Sequence, residues 1–142
     1  MGYATQSDLV ERYGVSMLVD LTDRADPPAG DIDPAVVARA LDDTDALIDG
    51  YLAGRYVLPL PSMPAQLRDL AMTIAVYKLH RDAVSDKVRQ DYVDAVKMLT
   101  LIAGGSVRLS VAGAEPAGSG ASGVRVSDRA RQLTPATMKG FI

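Results

Sequence analysis

The chain of 142 residues contains no cysteine and a single histidine. Without cysteine, disulfides and thiolate metal sites are excluded. His80 alone cannot form a Ser-His-Asp relay, because no serine lies in a strand–turn–helix elbow. We therefore expect no catalytic residues, no bound cofactor and no metal site, and we expect His80 to have a structural or surface role.

Long apolar runs are also missing. No stretch of about 18 uncharged apolar residues occurs, which is roughly the length that a membrane-spanning helix needs. The first residues do not show a basic segment followed by an apolar run, so no signal peptide is expected. We expect a protein that is made in a cytoplasm and has no membrane partner.

The charged side chains are unevenly distributed. Residues 1–49 carry 11 acidic and 3 basic side chains, whereas residues 105–142 carry 5 basic and 2 acidic ones. An acidic body disfavours duplex nucleic acid as its main ligand. Opposite charges would favour docking of the basic end on an acidic face. Simple solvation of the surface explains the same charges equally well.

Apolar spacing predicts helices along the first 105 residues. Two short helices are expected over residues 5–13 and 15–21, and three longer ones over 33–54, 62–81 and 85–103. The residues predicted to cap helix amino ends are Thr5, Asp33 and Ser85. The helix at 62–81 is apolar around most of its circumference, which indicates a central, buried position. The predicted fold is all-α, a small antiparallel helical bundle.

From residue 107 onward the composition changes. Residues 107–111 alternate apolar and polar side chains and could form a strand if a partner strand were present. Residues 113–123 are rich in glycine, alanine and serine, as flexible linkers are. The last residues regain apolar anchors, namely Leu133, Met138, Phe141 and Ile142. We predict a helical body over 1–106 and an extended carboxyl-terminal arm over 107–142 that grips a partner.

Three aspartates, Asp42, Asp45 and Asp49, share one face of the first long helix. Paired carboxylates can bind Mg²⁺ or perform acid–base chemistry, which would suit a hydrolase. No further ligands converge on them in the sequence, so a solvated helix face is favoured. The glycine-rich segment lacks a Gly-Lys-Ser/Thr motif, and too few aromatics accompany the arginines for single-strand stacking.

A corner is predicted where the first long helix ends. Pro59 and Pro61 hold the following chain extended. Arg55 is expected to donate to helix-end carbonyls or to a carboxylate. Tyr56 is expected to pack its ring between helices and to keep its hydroxyl at the surface. The candidate interface residues are Arg55, Tyr56, Leu58 and Leu60, together with the arm anchors Leu133, Met138, Phe141 and Ile142. The alternative is a well-packed interhelix connection.

Six segments also carry a resemblance to a known family. They are residues 3–9, 49–60, 75–79, 91–95 around Tyr92, 102–109 and 133–141. The most specific is 49–60, which reads Asp-Gly-Tyr-Leu-Ala-Gly-Arg-Tyr-Val-Leu-Pro-Leu. Across essentially its whole length the chain resembles the Mu-like phage and prophage head–tail joining proteins.

This resemblance implies a structural adaptor, or head-completion, protein without catalytic residues. Such a protein forms a homo-oligomeric ring beneath the portal, extends the DNA channel and provides a platform for the tail. The implied partners are the portal protein, a tail or stopper protein and further copies in a ring that matches the twelvefold portal. DNA would be enclosed without sequence-specific binding. The implied location is the head–tail junction of a virion assembled in the host cytoplasm. The alternative is a cytoplasmic helical binding or regulatory module that recruits a partner through its tail.

Overall fold

The structure is a computed structural model and describes residues 2–112. Within this range the chain forms five helices and no strand. The helices are α1 (Gln6–Tyr13), α2 (Val15–Thr22), α3 (Pro34–Leu52), α4 (Ala65–Leu79) and α5 (Asp86–Ala103). The predicted all-α fold is confirmed. The predicted linker at 113–123 and the terminal docking motif lie outside the described residues.

The three predicted amino-terminal caps are confirmed. Thr5 and Asp8 form a reciprocal capping box at the start of α1. Asp33 accepts hydrogen bonds from two amides in the first turn of α3, whose first residue is Pro34. Ser85 accepts from an amide in the first turn of α5. Each cap satisfies amides that the first helical turn would otherwise leave without a partner.

Helix α4 is shorter than the sequence predicted. It begins at Ala65 rather than near Ser62, because Pro64 is still extended, with φ −65° and ψ 137°. It ends at Leu79 rather than Arg81, since His80 is extended as well. The Nδ1 atom of His80 lies 2.8 Å from the Val76 carbonyl oxygen, which assigns a proton to Nδ1. His80 therefore closes the last turn of the helix.

Helix α4 lies at the centre of the bundle, as its apolar pattern predicted. It packs against both α3 and α5, and these two helices also contact each other. The short α1 packs on α2, α3 and α4. Each fully buried leucine or isoleucine contributes roughly 1.5–3 kcal/mol to folding. The buried residues of α4 are Leu67, Ala71, Met72, Ile74, Ala75, Val76 and Leu79.

Two further contacts hold the bundle together. The ring of Tyr77 on α4 stacks on that of Tyr92 on α5, with centroids 4.0 Å apart. The buried hydroxyl of Thr22 donates to the Leu18 carbonyl and accepts from the amide of Asp33, at 2.7 and 3.0 Å. This second pair of bonds ties the end of α2 to the start of α3 across the proline-containing loop.

Residues 107–111 do not form the strand that their alternation allowed. No partner strand exists in the described part of the chain. The Val111 amide donates to the Leu109 carbonyl instead, at 2.9 Å, in a tight turn. The alternation still has a consequence, because Leu109 and Val111 are buried against the helices and Val107 is partly buried there.

Candidate protein–protein interface

The corner after α3 holds the chain that follows α5. The Leu52 carbonyl accepts from the amides of Arg55 and Tyr56 at 2.9 and 2.8 Å, which turns the chain sharply. Tyr56 is only 3% exposed, and its hydroxyl accepts a buried hydrogen bond of 3.1 Å from the Leu109 amide. The prediction of a surface hydroxyl is therefore wrong. The hydroxyl lies inside because Leu109 covers it and supplies its donor.

The side chain of Arg55 lies beside Gly105, which is 50 residues further along the chain at the end of α5. Gly105 adopts φ +80° there, and the Ser106 and Val107 amides both donate to the Leu101 carbonyl. A Cβ placed on Gly105 would overlap the guanidinium of Arg55. The guanidinium therefore covers the carboxyl-terminal turn of α5, where the helix dipole favours a cation. Arg55 and Tyr56 therefore contact the chain that follows α5 at two points, Gly105 and Leu109.

The remainder of the corner forms one wall of an open groove. A cis peptide bond joins Leu58 to Pro59, and Leu60 is buried at 7% exposure. The groove has a volume of about 330 Å³. Its lining residues are Tyr3, Asp49, Leu58, Pro59, Leu60 and Met63. An apolar surface is thus left accessible beside an acidic side chain.

The start of the chain also lines this groove, and it is bound to two aspartates of α3. The amide of Tyr3 donates to Asp45 at 3.0 Å, and the Tyr3 hydroxyl donates to the Asp49 carboxylate. Burial, followed by the bond to Asp49, raises the pKa of Tyr3 above its ordinary value. Burial also raises the pKa of Asp45, and the charges of Asp49 and Asp42 add to this effect. A purely solvated aspartate face, as expected from the sequence, is therefore wrong for Asp45.

The eight candidate interface residues have three different outcomes. Tyr56 and Leu60 belong to the core, so they support the surface rather than form it. Arg55 and Leu58 are half-buried at the surface. The arm anchors Leu133, Met138, Phe141 and Ile142 lie outside the described residues, so their docking role stays a prediction.

Sequence reasoning missed several exposed apolar side chains. Val57, inside the corner itself, is 57% exposed, more than any other large apolar residue of the described chain. The others are Val15, Val93 and Leu101. A signal for Val57 existed, because it lies between buried positions 56 and 60 on a segment held extended by prolines. Successive side chains of an extended segment point to opposite faces, so Val57 points away from the core when Tyr56 points into it.

Residues 2–112 contain no group of three or more histidines or carboxylates that could hold a metal ion. No helix in the same range combines the length and apolar character required to cross a membrane. The half-buried Asp45 accepts a hydrogen bond from the Tyr3 amide, and the exposed Asp49 accepts one from the Tyr3 hydroxyl. In the described chain, the groove and the exposed apolar residues are candidate surfaces for a protein partner.

The chain is similar to phage and prophage proteins along most of its length. A family model described as Bacteriophage Mu, Gp36 matches residues 3–128. The Mu-like prophage FluMu protein gp36 of Haemophilus influenzae is 34% identical over 140 residues, which cover 99% of this chain and 98% of that protein. Gene product J of Escherichia phage Mu is 37% identical over 105 residues, which cover 74% of each chain.

Proposed function

The chain belongs to the bacteriophage Mu gp36 family, and we propose that it is a structural protein of the virion, the connector between head and tail. Membership confirms the resemblance to Mu-like phage proteins that the sequence predicted. In this proposal the protein forms a ring beneath the portal, extends the DNA channel and offers the tail its attachment platform. Its partners are the portal protein, a tail or stopper protein and further copies of itself.

One observation carries the proposal, namely the anchoring of the chain where it leaves α5. Tyr56 binds the Leu109 amide, and Arg55 covers the turn at Gly105. The segment after α5 is therefore held against the helical body at Gly105 and Leu109. The 30 residues after Ala112 could span at most about 100 Å, which is enough to reach a neighbouring subunit or a portal. A rigid body with an anchored arm suits a subunit of a ring.

The charge of the body is compatible with a channel for DNA. Residues 1–112 carry 16 acidic and 11 basic side chains. A net negative surface repels phosphates and does not hold DNA while it slides. We infer that the acidic region at residues 1–49 faces either the lumen or the basic arms. The arms are favoured because opposite charges steer docking.

The second candidate is a helical binding module that recruits one partner through its tail. The groove beside Asp49 favours it, because a module needs a discrete binding surface. The two proposals differ in stoichiometry. A connector assembles in many copies on a portal, whereas a module binds its partner in a small complex of defined ratio.

Co-assembly with the portal protein of the same phage tests the proposal. We expect the full chain to co-sediment with portal rings and to appear as an added ring in electron micrographs. Removal of residues 128–142 should leave the body folded but weaken this association. A full chain that folds normally and never joins the portal would contradict the connector role.

A further inference from the structure

The groove between the start of the chain and the corner has an apolar floor that nothing described in the chain covers. Leu60 is buried at its base, while Leu58 and Met63 are half-buried along its walls. Tyr3 lines one side of the groove, where its hydroxyl donates a hydrogen bond to Asp49. A volume of about 330 Å³ lies at the lower end of the range for sites that bind ligands.

The rim of this groove is acidic. Asp49 lines it directly, and Asp45 and Asp42 follow on the same face of α3. Among the described lining residues none is basic. Burial raises the pKa of Asp45, and the negative charges of Asp49 and Asp42 add to this effect. An occupant with a cation beside apolar side chains would therefore complement the groove best.

The end of this same chain has that composition. Residues 138–142 read Met-Lys-Gly-Phe-Ile, with one cation between two large apolar side chains. Residues 113–142 contain four basic and two acidic side chains. Met138 lies 26 residues beyond Ala112, a separation that can extend to roughly 85 Å. This is far more than the radius of gyration of about 13 Å expected for a body of this size.

We propose that the groove lined by Tyr3, Asp49, Leu58 and Met63 binds the terminal segment 138–142 of this protein. Phe141 and Met138 fill the apolar floor, and Lys139 pairs with Asp49 at the rim. The terminal carboxylate stays in solvent, away from the aspartates. The segment reaches either its own groove or the groove of a second copy. This inference goes beyond the connector role and does not require it.

Disulfide trapping tests the proposal cleanly, because the chain has no cysteine of its own. The test variant is the full-length double substitution Met63→Cys with Gly140→Cys, which keeps the anchors Met138 and Phe141. The matched control is Val93→Cys with Gly140→Cys. Val93 is 37% exposed on α5, which contributes no residue to the groove, and it is more accessible than Met63.

Under mild oxidation the test pair should cross-link about tenfold faster than the control, because docking raises the effective concentration of the two thiols. Lys139→Glu should reduce this advantage, whereas Arg125→Glu, outside the terminal motif, should reduce it less. Melting curves verify that each variant folds. A mixture of the two single-cysteine variants distinguishes docking within one chain from docking between two copies. Only docking between copies links one variant to the other through a disulfide.

Cross-linking within one chain or between two copies would each support the proposal. Equal rates for the test and control pairs would overturn it and would leave the groove to a segment of another protein. The result is independent of the connector proposal. A protein that cross-links at the groove but never joins a portal would refute the connector role alone.

Discussion

The hydroxyl of Tyr56 holds the exit of α5 against the body, and Tyr56→Phe removes that single oxygen. The ring remains in the core, so no cavity of the size of a side chain is created. The Leu109 amide loses its acceptor while it stays buried, at 7% residual exposure of its residue. An unsatisfied buried donor costs about 1–3 kcal/mol. We expect a loss of this size in the free energy of unfolding.

Hydrogen exchange measures the same effect locally. If the segment 107–112 opens more easily, the Leu109 amide should exchange about 5–150-fold faster in Tyr56→Phe, as 1–3 kcal/mol implies. Tyr51→Phe is the matched control, because the Tyr51 hydroxyl makes no hydrogen bond to the described residues. Its unfolding free energy should change by less than about 0.5 kcal/mol.

Equal effects of the two substitutions would refute this reasoning. The hydroxyl would then contribute no more than any partly buried tyrosine. An unchanged exchange rate at Leu109 would refute the anchoring of the exit as well, because the amide would be protected by something other than Tyr56.

Two further predictions concern backbone strain and charge. Gly30→Ala, where the new Cβ meets open space, should lower the free energy of unfolding by about 1–2 kcal/mol through left-handed backbone strain alone. Gly105→Ala should lower it by more, because the new Cβ also displaces Arg55. Denaturant unfolding measures this difference between the two substitutions. The difference should vanish when Arg55 is also replaced by Ala, and a difference that persists would contradict the contact between Arg55 and Gly105. Asp45→Asn should raise the melting temperature at pH 7, whereas Asp45→Ala should not, because only the amide keeps an acceptor for the Tyr3 amide. Since the pKa of Asp45 is raised in the fold, its charge costs stability at high pH. The stability that Asp45→Asn gains over the unmodified protein should be absent below pH 3.8 and should grow as the pH rises through the raised pKa of Asp45. A gain that does not depend on pH would contradict this explanation.

Local features of the fold could be predicted from the sequence. Thr5, Asp33 and Ser85 act on amides two or three residues away, so their effect follows from the sequence around them. The central position of α4 follows from an apolar pattern within one helix. The ends of α4 were less predictable, because Ser62 and Pro64 both suit a helix start and only the backbone angles decide between them.

Contacts between distant residues could not be predicted in the same way. Tyr3 binds aspartates 42 and 46 residues away, and Tyr56 binds an amide 53 residues away. A tyrosine hydroxyl and a carboxylate are both stable in water, so nothing in their own neighbourhoods requires them to pair. The sequence predicts a corner at residues 55–61, but the contact of Arg55 with Gly105 depends on how α3 and α5 pack.

The connector role is tested most directly by imaging intact particles of the phage that encodes this chain. We predict a ring of density between the portal and the tail into which the five-helix body fits. In particles that lack the chain, this density should be missing and tails should not attach. Absence of the chain from the particle, or its location in the capsid shell or along the tail, would contradict the account.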